Sequence, residues 1–191
     1  IIVKGNSQVG TTTGTEAPIL SYATGDLTIK SEAGGTLHLT SCMFHGDNKI
    51  ASIYSTGSIK LDNATVFVQG VNDTQEADRH IWSASGNITV SGGKLNIVTG
   101  GAGWGASDGN MPVVHAPSGV ITIENGADVT IWNKRANKVF VANEITIDES
   151  SVKVAATHAS SAVFSVEPTV NFTNANWECK ASATTPGADG T

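Results

Sequence analysis

Residues 86–97 read GNITVSGGKLNI, and this stretch decides the fold. It holds two short runs, residues 88–90 and 95–97, in which apolar and polar residues alternate around a pair of glycines. Alternation with a period of two is typical of a half-buried β-strand, because successive side chains point to opposite faces of a sheet. The stretch therefore predicts a strand, a tight turn and a second strand.

The same unit recurs along the chain at spacings of 24 to 33 residues. A second alternating run follows each copy of the first, and a third apolar run then follows a loop of variable length. The first runs align on six apolar positions: Leu27, Ile59, Ile88, Ile121, Ile145 and Val170. Four of these runs follow a glycine: Gly25, Gly57, Gly86 and Gly119.

Three strands per repeat predict an all-β fold, a single-stranded right-handed parallel β-helix of about six coils with three strands per coil. In such a solenoid each strand pairs with its equivalent about 4.8 Å away in the next coil, and the apolar residues fill one continuous interior. Right-handed winding is the usual hand of parallel crossovers. Residues 1–180 are assigned to this domain and residues 181–191 to a C-terminal linker or tail, so we expect a monomeric part of a longer chain.

The stacking predicts columns of inward side chains. The six positions aligned above form one column. Two further columns consist of Ile29, Leu61, Val90, Ile123, Ile147 and Phe172, and of Leu37, Val66, Leu95, Val129, Val152 and Trp177. The large residues Phe172 and Trp177 fall in the last coil, where they are expected to plug the open end. Ile1 and Val3 are assigned to the second strand of a partial coil, with Ile19 and Leu20 in its third.

The two cysteines provide a test of this stacking. Cys42 falls in the first full coil and Cys179 in the sixth, about 24 Å apart at about 4.8 Å per coil. A disulfide needs Cα atoms within about 7 Å, so no bond between the two is expected.

Composition narrows the function. The formal net charge is −6, which argues against a nucleic-acid partner and against binding to an anionic membrane surface. No apolar run approaches the roughly 18 residues of a membrane helix. Only 15% of residues are charged, which favours a secreted or cell-surface bacterial protein.

The loops that connect the second and third runs vary most in length, and in a solenoid such loops stack along one edge. This loop-bearing edge is the predicted ligand-binding face, because Trp104 could stack on a sugar ring while charged neighbours bind its oxygens. An equally simple interpretation is that Trp104 folds back over its own loop. The predicted ligand-binding residues are Trp104, Asp73, Glu76, Asp108 and Arg135.

The same edge offers residues for two further chemistries. The carboxylates of Asp73, Glu76, Asp78 and Asp108 could hold Ca²⁺, although no loop has regular oxygen-ligand spacing, and solvated loop charges explain them as well. No cofactor is otherwise predicted. A lyase would need a base. The candidates are Arg79 with Asp78 or Asp108, and Arg135 with Lys134. Both sets could equally be surface ion pairs.

On the second face of the coil, which the second runs form, three apolar side chains are expected to point outward: Phe67, Val98 and Trp132. They either form a patch for a partner or ligand or lie beneath a loop.

The rhythm Gly-x-Ile-Thr-Ile/Val followed by Gly-Gly-x-Leu-x-Ile is clearest at residues 86–97, with residues 119–131 and 143–154 close behind. It resembles right-handed β-helix proteins of the pectate-lyase-like superfamily, in particular carbohydrate-binding and lyase-like bacterial surface proteins. That resemblance implies right-handed winding. It also implies Ca²⁺ at Gly-Asp-Gly turns, to which only residues 107–109 and 46–48 come near.

Three functions follow as hypotheses. The first is a non-catalytic extracellular module that binds carbohydrate or serves in adhesion. The second is a polysaccharide lyase or hydrolase acting on polyuronates. The third is a structural spacer within a larger surface protein.

Overall fold

The computed structural model describes residues 1–10, 20–22, 25–41, 51–70, 79–99, 112–134, 138–156, 163–164 and 168–181. Within these ranges the regular structure is all β-strand. None of the described residues forms a helix that is long and apolar enough to cross a membrane. The strands are β1 (Ile2–Val3), β2 (Asn6–Gly10), β3 (Leu20–Tyr22), β4 (Leu27–Ser31), β5 (Thr36–Ser41), β6 (Ala51–Ser55), β7 (Ile59–Asp62), β8 (Thr65–Gly70), β9 (Arg79–Ser83), β10 (Ile88–Ser91), β11 (Lys94–Val98), β12 (Val114–Glu124), β13 (Asp128–Asn133), β14 (Phe140–Asp148), β15 (Ser151–Ala156), β16 (Thr169–Thr173) and β17 (Asn176–Ala181).

Strands pair with their equivalents one repeat away, and every pairing between these strands is parallel. The second runs form a seven-stranded sheet in the order β17-β15-β13-β11-β8-β5-β2. The first and third runs together form a ten-stranded sheet. The chain is therefore a parallel β-solenoid, as the repeat predicted.

The predicted count of six coils with three separate strands each is wrong in detail: the structure has two sheets and about four turns. Strands β12 and β14 each run from a third run straight into the next first run, which joins those two faces into one sheet. A register shift between Ala116 and Val120 marks the corner inside β12. In four turns, from Leu27 to Phe140, each of the three runs forms a strand. In the later turns, the bridge between Phe140 and Phe164 is all that is described of a third run.

The predicted columns are confirmed residue by residue. On the first face, which the first runs form, Ile88 pairs with Ile59 in the preceding coil and with Ile121 in the next. On the second face, Leu95 pairs with Val66 and with Val129. The members of these columns are buried through β14 and β15. The core is thus one aliphatic stack along the axis, stabilised by packing of β-branched and Leu side chains.

The last coil departs from that pattern. Phe172 and Trp177 pack against each other with ring centroids 5.6 Å apart, as expected for an apolar pair closing the stack. Phe172 nevertheless remains 48% exposed. The pair therefore covers the end of the core only in part.

The assignment of the first residues is also corrected. Ile2 and Val3 pair with Lys30 and Ser31, so β1 lies on the first face and not on the second. The second strand of that coil is β2. Leu20 lies in a third strand, as predicted, and Ile19 lies outside the described residues.

Two kinds of corner hold consecutive strands in place. Between first and second runs, Asn63, Asn125, Glu149 and Asn174 adopt positive φ, a conformation that Asn tolerates better than most residues. Between third and first runs, glycines stack so closely that a Cβ on Gly86 would lie 2.5 Å from the backbone nitrogen of Ser58. Gly57, Gly86 and Gly119 are thus required by backbone contact between coils, whereas a Cβ on Gly25 would meet nothing within 4 Å.

Side chains next to these glycines hydrogen-bond the coil beside them. Ser83 Oγ donates to the Gly57 carbonyl at 2.7 Å, and Ser55 Oγ donates to the Gly25 carbonyl. The backbone N–H of Val120 donates to Asn87 Oδ1 at 2.9 Å. Polar groups at this corner therefore find partners although the corner is crowded.

Cys179 is a free thiol on β17. Burial raises the pKa of this thiol above its usual value. Cys42 lies outside the described residues, so its separation of about 24 Å from Cys179 stays a prediction.

Candidate functional site: an aromatic column beside the loop-bearing edge

Three rings line up on the outer side of the third face, and we call them the aromatic column: Tyr54, Trp82 and His115. They lie at equivalent positions of β6, β9 and β12. The ring centroids of Tyr54 and Trp82 are 4.9 Å apart, and those of Trp82 and His115 are 6.1 Å apart. All three are half-buried, while the residues beside them in each strand point into the core.

A β-bulge sits at the start of β9. The backbone N–H groups of His80 and Ile81 both donate to the Val113 carbonyl, each at 3.0 Å. Two residues therefore face one across the ladder, an irregularity that redirects neighbouring side chains. Both His80 and Ile81 are buried as a result, and His80 Nδ1 lies 3.2 Å from Ser52 Oγ.

Arg79, next to this bulge, turns its guanidinium onto the aromatic column. Its Cζ lies 4.3 Å from the Trp82 ring centroid, within cation–π range. Its Nε donates to His115 Nδ1 at 2.8 Å. The cation is therefore held between two rings from successive coils.

This hydrogen bond fixes the protonation of His115. The guanidinium can only donate, so Nδ1 must accept, and the ring proton lies on Nε2. Burial and, second, the positive charge of Arg79 lower the pKa of His115 to about 4, so the ring is neutral at pH 7. The column thus presents an N–H donor on His115 beside a permanent cation.

Stability should depend on pH through His115. Its native pKa lies below the ordinary 6.5, so the unfolded chain takes up the proton more readily. The free energy of unfolding is expected to be constant above pH 6.5 and to fall as the pH drops toward 4. His115→Gln should flatten this part of the profile in urea titrations at several pH values. An NMR titration midpoint for His115 near 6.5 would contradict the assignment.

A second cation–ring pair lies at the end of β13. Lys134 Nζ is 4.1 Å from the Trp132 ring centroid. Trp132 pairs with Val98 in the preceding coil, so these two residues form a continuous apolar surface. Phe67 belongs to the neighbouring column, where it pairs with Asn96 and stacks on His38 at 4.8 Å. The predicted patch is therefore divided into two.

The indole nitrogens of Trp82 and Trp132 are buried and, among the described residues, have no hydrogen-bond acceptor. No other buried side-chain nitrogen or oxygen in the described part of the chain shares that property. An unpaired buried donor costs about 1–3 kcal/mol, which is why such groups are rare in proteins. Trp132 lies near the end of β13, beside the corner that carries the variable loops, and Trp82 lies near the end of β9.

Of the residues predicted from sequence, Arg79 lies in this site, where it contacts Trp82 and His115. Its predicted partners Asp78 and Asp108 lie outside the described residues, so that pairing stays a prediction. The same is true of all the predicted ligand-binding residues: Trp104, Asp73, Glu76, Asp108 and Arg135. Within the described ranges, no group of three or more acidic, His or Cys side chains could hold a metal ion.

Sequence reasoning missed Tyr54, Trp82 and His115 as a set. A signal was present, because Ile53-Tyr54-Ser55 and Ile81-Trp82-Ser83 repeat one pattern at equivalent points of the third run. Once strands are stacked, an aromatic residue at the same outward position of successive repeats predicts a ring column.

No protein-family model, curated protein or solved structure matches this chain.

Proposed function

We propose that this chain is a non-catalytic, extracellular bacterial surface module that binds carbohydrate through Arg79 and the aromatic column. The observation that carries the proposal is the guanidinium held between Trp82 and His115 on a half-buried outer face. Membership of the pectate-lyase-like superfamily is part of the same proposal and is supported by the repeat rhythm alone.

The chemistry of the site suits a sugar. Sugars combine apolar ring faces with many oxygen acceptors, and the column offers apolar ring surface together with donors. Those donors are the Arg79 guanidinium and the N–H of neutral His115. A set dominated by donors, one of them a cation, favours ligands that carry carboxylate or sulfate groups over neutral ones.

The same geometry supports binding over lyase chemistry. A catalytic base must lose its proton, and an arginine side chain stays protonated in proteins. Arg79 also uses its Nε–H to bond His115, and its guanidinium contacts the Trp82 ring. These contacts position a cation to bind an anion; they do not activate it to remove a proton.

The test is calorimetric titration with carboxylated oligosaccharides such as oligogalacturonate, alongside neutral cello-oligosaccharides. Arg79→Gln should weaken binding of the carboxylated ligand by about tenfold or more, the usual effect of losing a hydrogen bond to a charged group. Lys60→Gln is the matched control, because it removes one positive charge from an exposed position on the first face. It should leave affinity unchanged.

Each outcome bears on one of the functions. Absence of binding to both ligand classes would overturn carbohydrate binding and leave the spacer function. Equal loss in Arg79→Gln and Lys60→Gln would show nonspecific charge attraction. New ultraviolet absorbance from unsaturated products would show that the chain is a lyase.

A further inference from the structure

Four large apolar side chains are exposed in the described part of the chain, and all four lie at the two ends of the solenoid. Ile1, Ile2 and Val9 belong to the first coil, and Phe172 belongs to the last. Along the sides between these coils, the described residues expose no such side chain. Exposed apolar surface is therefore concentrated where one coil could meet another, and such surface often marks a contact between proteins.

The strands at these ends have unpaired outer edges. Strands β2 and β17 are the outermost strands of the seven-stranded sheet. In the ten-stranded sheet, β1 pairs with β4 alone and β16 with β14 alone. Among the described strands, none pairs with the outer edge of these four, so their backbone N–H and C=O groups can bond a further strand. We call β1 and β2 the head face, and β16 and β17 the tail face.

The two faces lack the charges that commonly protect a strand edge from pairing. Strands β1, β2 and β16 contain no charged residue, although the whole chain has a formal net charge of −6. The two charged residues of β17 are Glu178 and Lys180, which form an ion pair with each other at 2.8 Å. The head and tail faces therefore do not repel each other electrostatically.

The exposed residues of the two faces belong to the same core columns. Val9 begins a column that runs through the second sheet and ends at Cys179, which is exposed on the tail face. By the register of β1, Ile1 begins a column that ends at Phe172. Each face thus presents side chains at the positions where, between the two faces, the next coil covers them.

We propose that the tail face of one copy binds the head face of a second copy, with β17 pairing with the second copy's β2 and β16 with its β1. The contact continues the parallel ladders that join consecutive coils within the chain, at the same spacing of about 4.8 Å. It places Cys179 against the second copy's Val9, and Phe172 against its Ile1. Trp177 comes to lie against the second copy's Ser7, whose small side chain leaves room for the indole.

An interface between two different faces does not close on itself, so it builds open-ended chains, whereas two tail faces would give a closed dimer. Light scattering should show a weight-average mass that rises at least about twofold over an about hundredfold increase in concentration, up to about 1 mM. A constant monomer mass, or a plateau at the dimer, would overturn the proposal. The proposal does not depend on carbohydrate binding.

Two charge variants test whether the faces are different. Val9→Lys blocks the head face and Phe172→Lys blocks the tail face, and both positions are exposed, so the fold should accept the charge. Each variant alone should stay monomeric, and an equimolar mixture should form dimers and nothing larger, because one free face of each kind remains. Gln69→Lys adds the same charge at an exposed position of β8 and should associate like the unmodified protein. Association of Val9→Lys alone would contradict a role for the head face.

Disulfide trapping tests the register without adding a charge. In a Cys42→Ser background, Val9→Cys places a thiol opposite the neighbouring copy's Cys179, with Cα atoms at a spacing that a disulfide can bridge. Mild oxidation should give covalent dimers, trimers and longer chains at least about tenfold faster than Lys60→Cys, an exposed position far from both faces, in the same background. Dimers that form equally fast in the Cys42→Ser protein without Val9→Cys would show pairing of two tail faces and would rule out the head-to-tail contact.

Discussion

The Gly119→Ala variant is expected to lose about 3 kcal/mol of unfolding free energy. A Cβ at this position would overlap the Gly86 carbonyl and lie 2.7 Å from its carbon, both backbone atoms of the preceding coil. Backbone cannot move aside as a flexible side chain does, so the coils must separate or the corner must distort. Overpacking a well-packed site typically costs about 1–3 kcal/mol, and rigid neighbours place this site at the upper end. Urea unfolding followed by circular dichroism measures the loss.

Gly126→Ala is the control for the glycine backbone itself. Gly126 has φ +74°, and a Cβ there would meet nothing within 4 Å. Its replacement should therefore cost only the conformational penalty, about 1 kcal/mol. If the two variants lose equal free energy, close backbone stacking at Gly119 is not what the glycine provides.

The interior was predictable from sequence because it repeats. Alternation fixes which side chains in a strand share a face, and the recurring Ile-Thr-Ile/Val segment fixes which strands are equivalent. Together they gave the correct partners of Ile88 and Leu95 two coils in either direction. The glycines were visible in the sequence as well, although only the structure shows that they make close backbone contacts between coils.

The joining of two faces into one sheet was not predictable in the same way. It depends on whether the chain bends sharply or gradually between a third run and the next first run. In β12 the chain stays extended through Pro117, Ser118 and Gly119, with only a shift in register. Turn-forming residues such as these predict a break in the strand. No break occurs because β12 and β14 pair with each other on both sides of the register shift.

Of the predicted site residues, Arg79 is described by the structure, and those outside the described ranges stay predictions. Their sequences do not recur from one repeat to the next, so no periodicity relates one to another. The aromatic column does recur, but its significance depends on the bulge at His80 and Ile81, which turns Arg79 onto Trp82. A bulge is one additional residue in one strand, and hydrophobic alternation alone does not reveal it.

Ile88→Ala is expected to cost about 3 kcal/mol and to disturb the site from inside the core. Ile88 is fully buried between Ile59 and Ile121, so the truncation loses apolar burial and leaves a cavity that neighbouring coils cannot fill. Thr89→Ala, the next residue on the outer face, should cost less than about 0.5 kcal/mol. Urea unfolding of the two variants gives the comparison.

The cavity left by Ile88→Ala should also affect the site. In a solenoid each coil is stabilised mainly by its neighbours, so loosening the coil that begins at Ile88 weakens its contact with the coil before it. Trp82 and Arg79 belong to that earlier coil, and His115 belongs to the loosened one. The Arg79–His115 hydrogen bond crosses this boundary, so the pKa of His115 should rise from about 4 toward 6.5 in Ile88→Ala and stay low in Thr89→Ala. An unchanged His115 titration in a folded but destabilised Ile88→Ala protein would mean that the column is held by its own contacts, independently of the core beneath it.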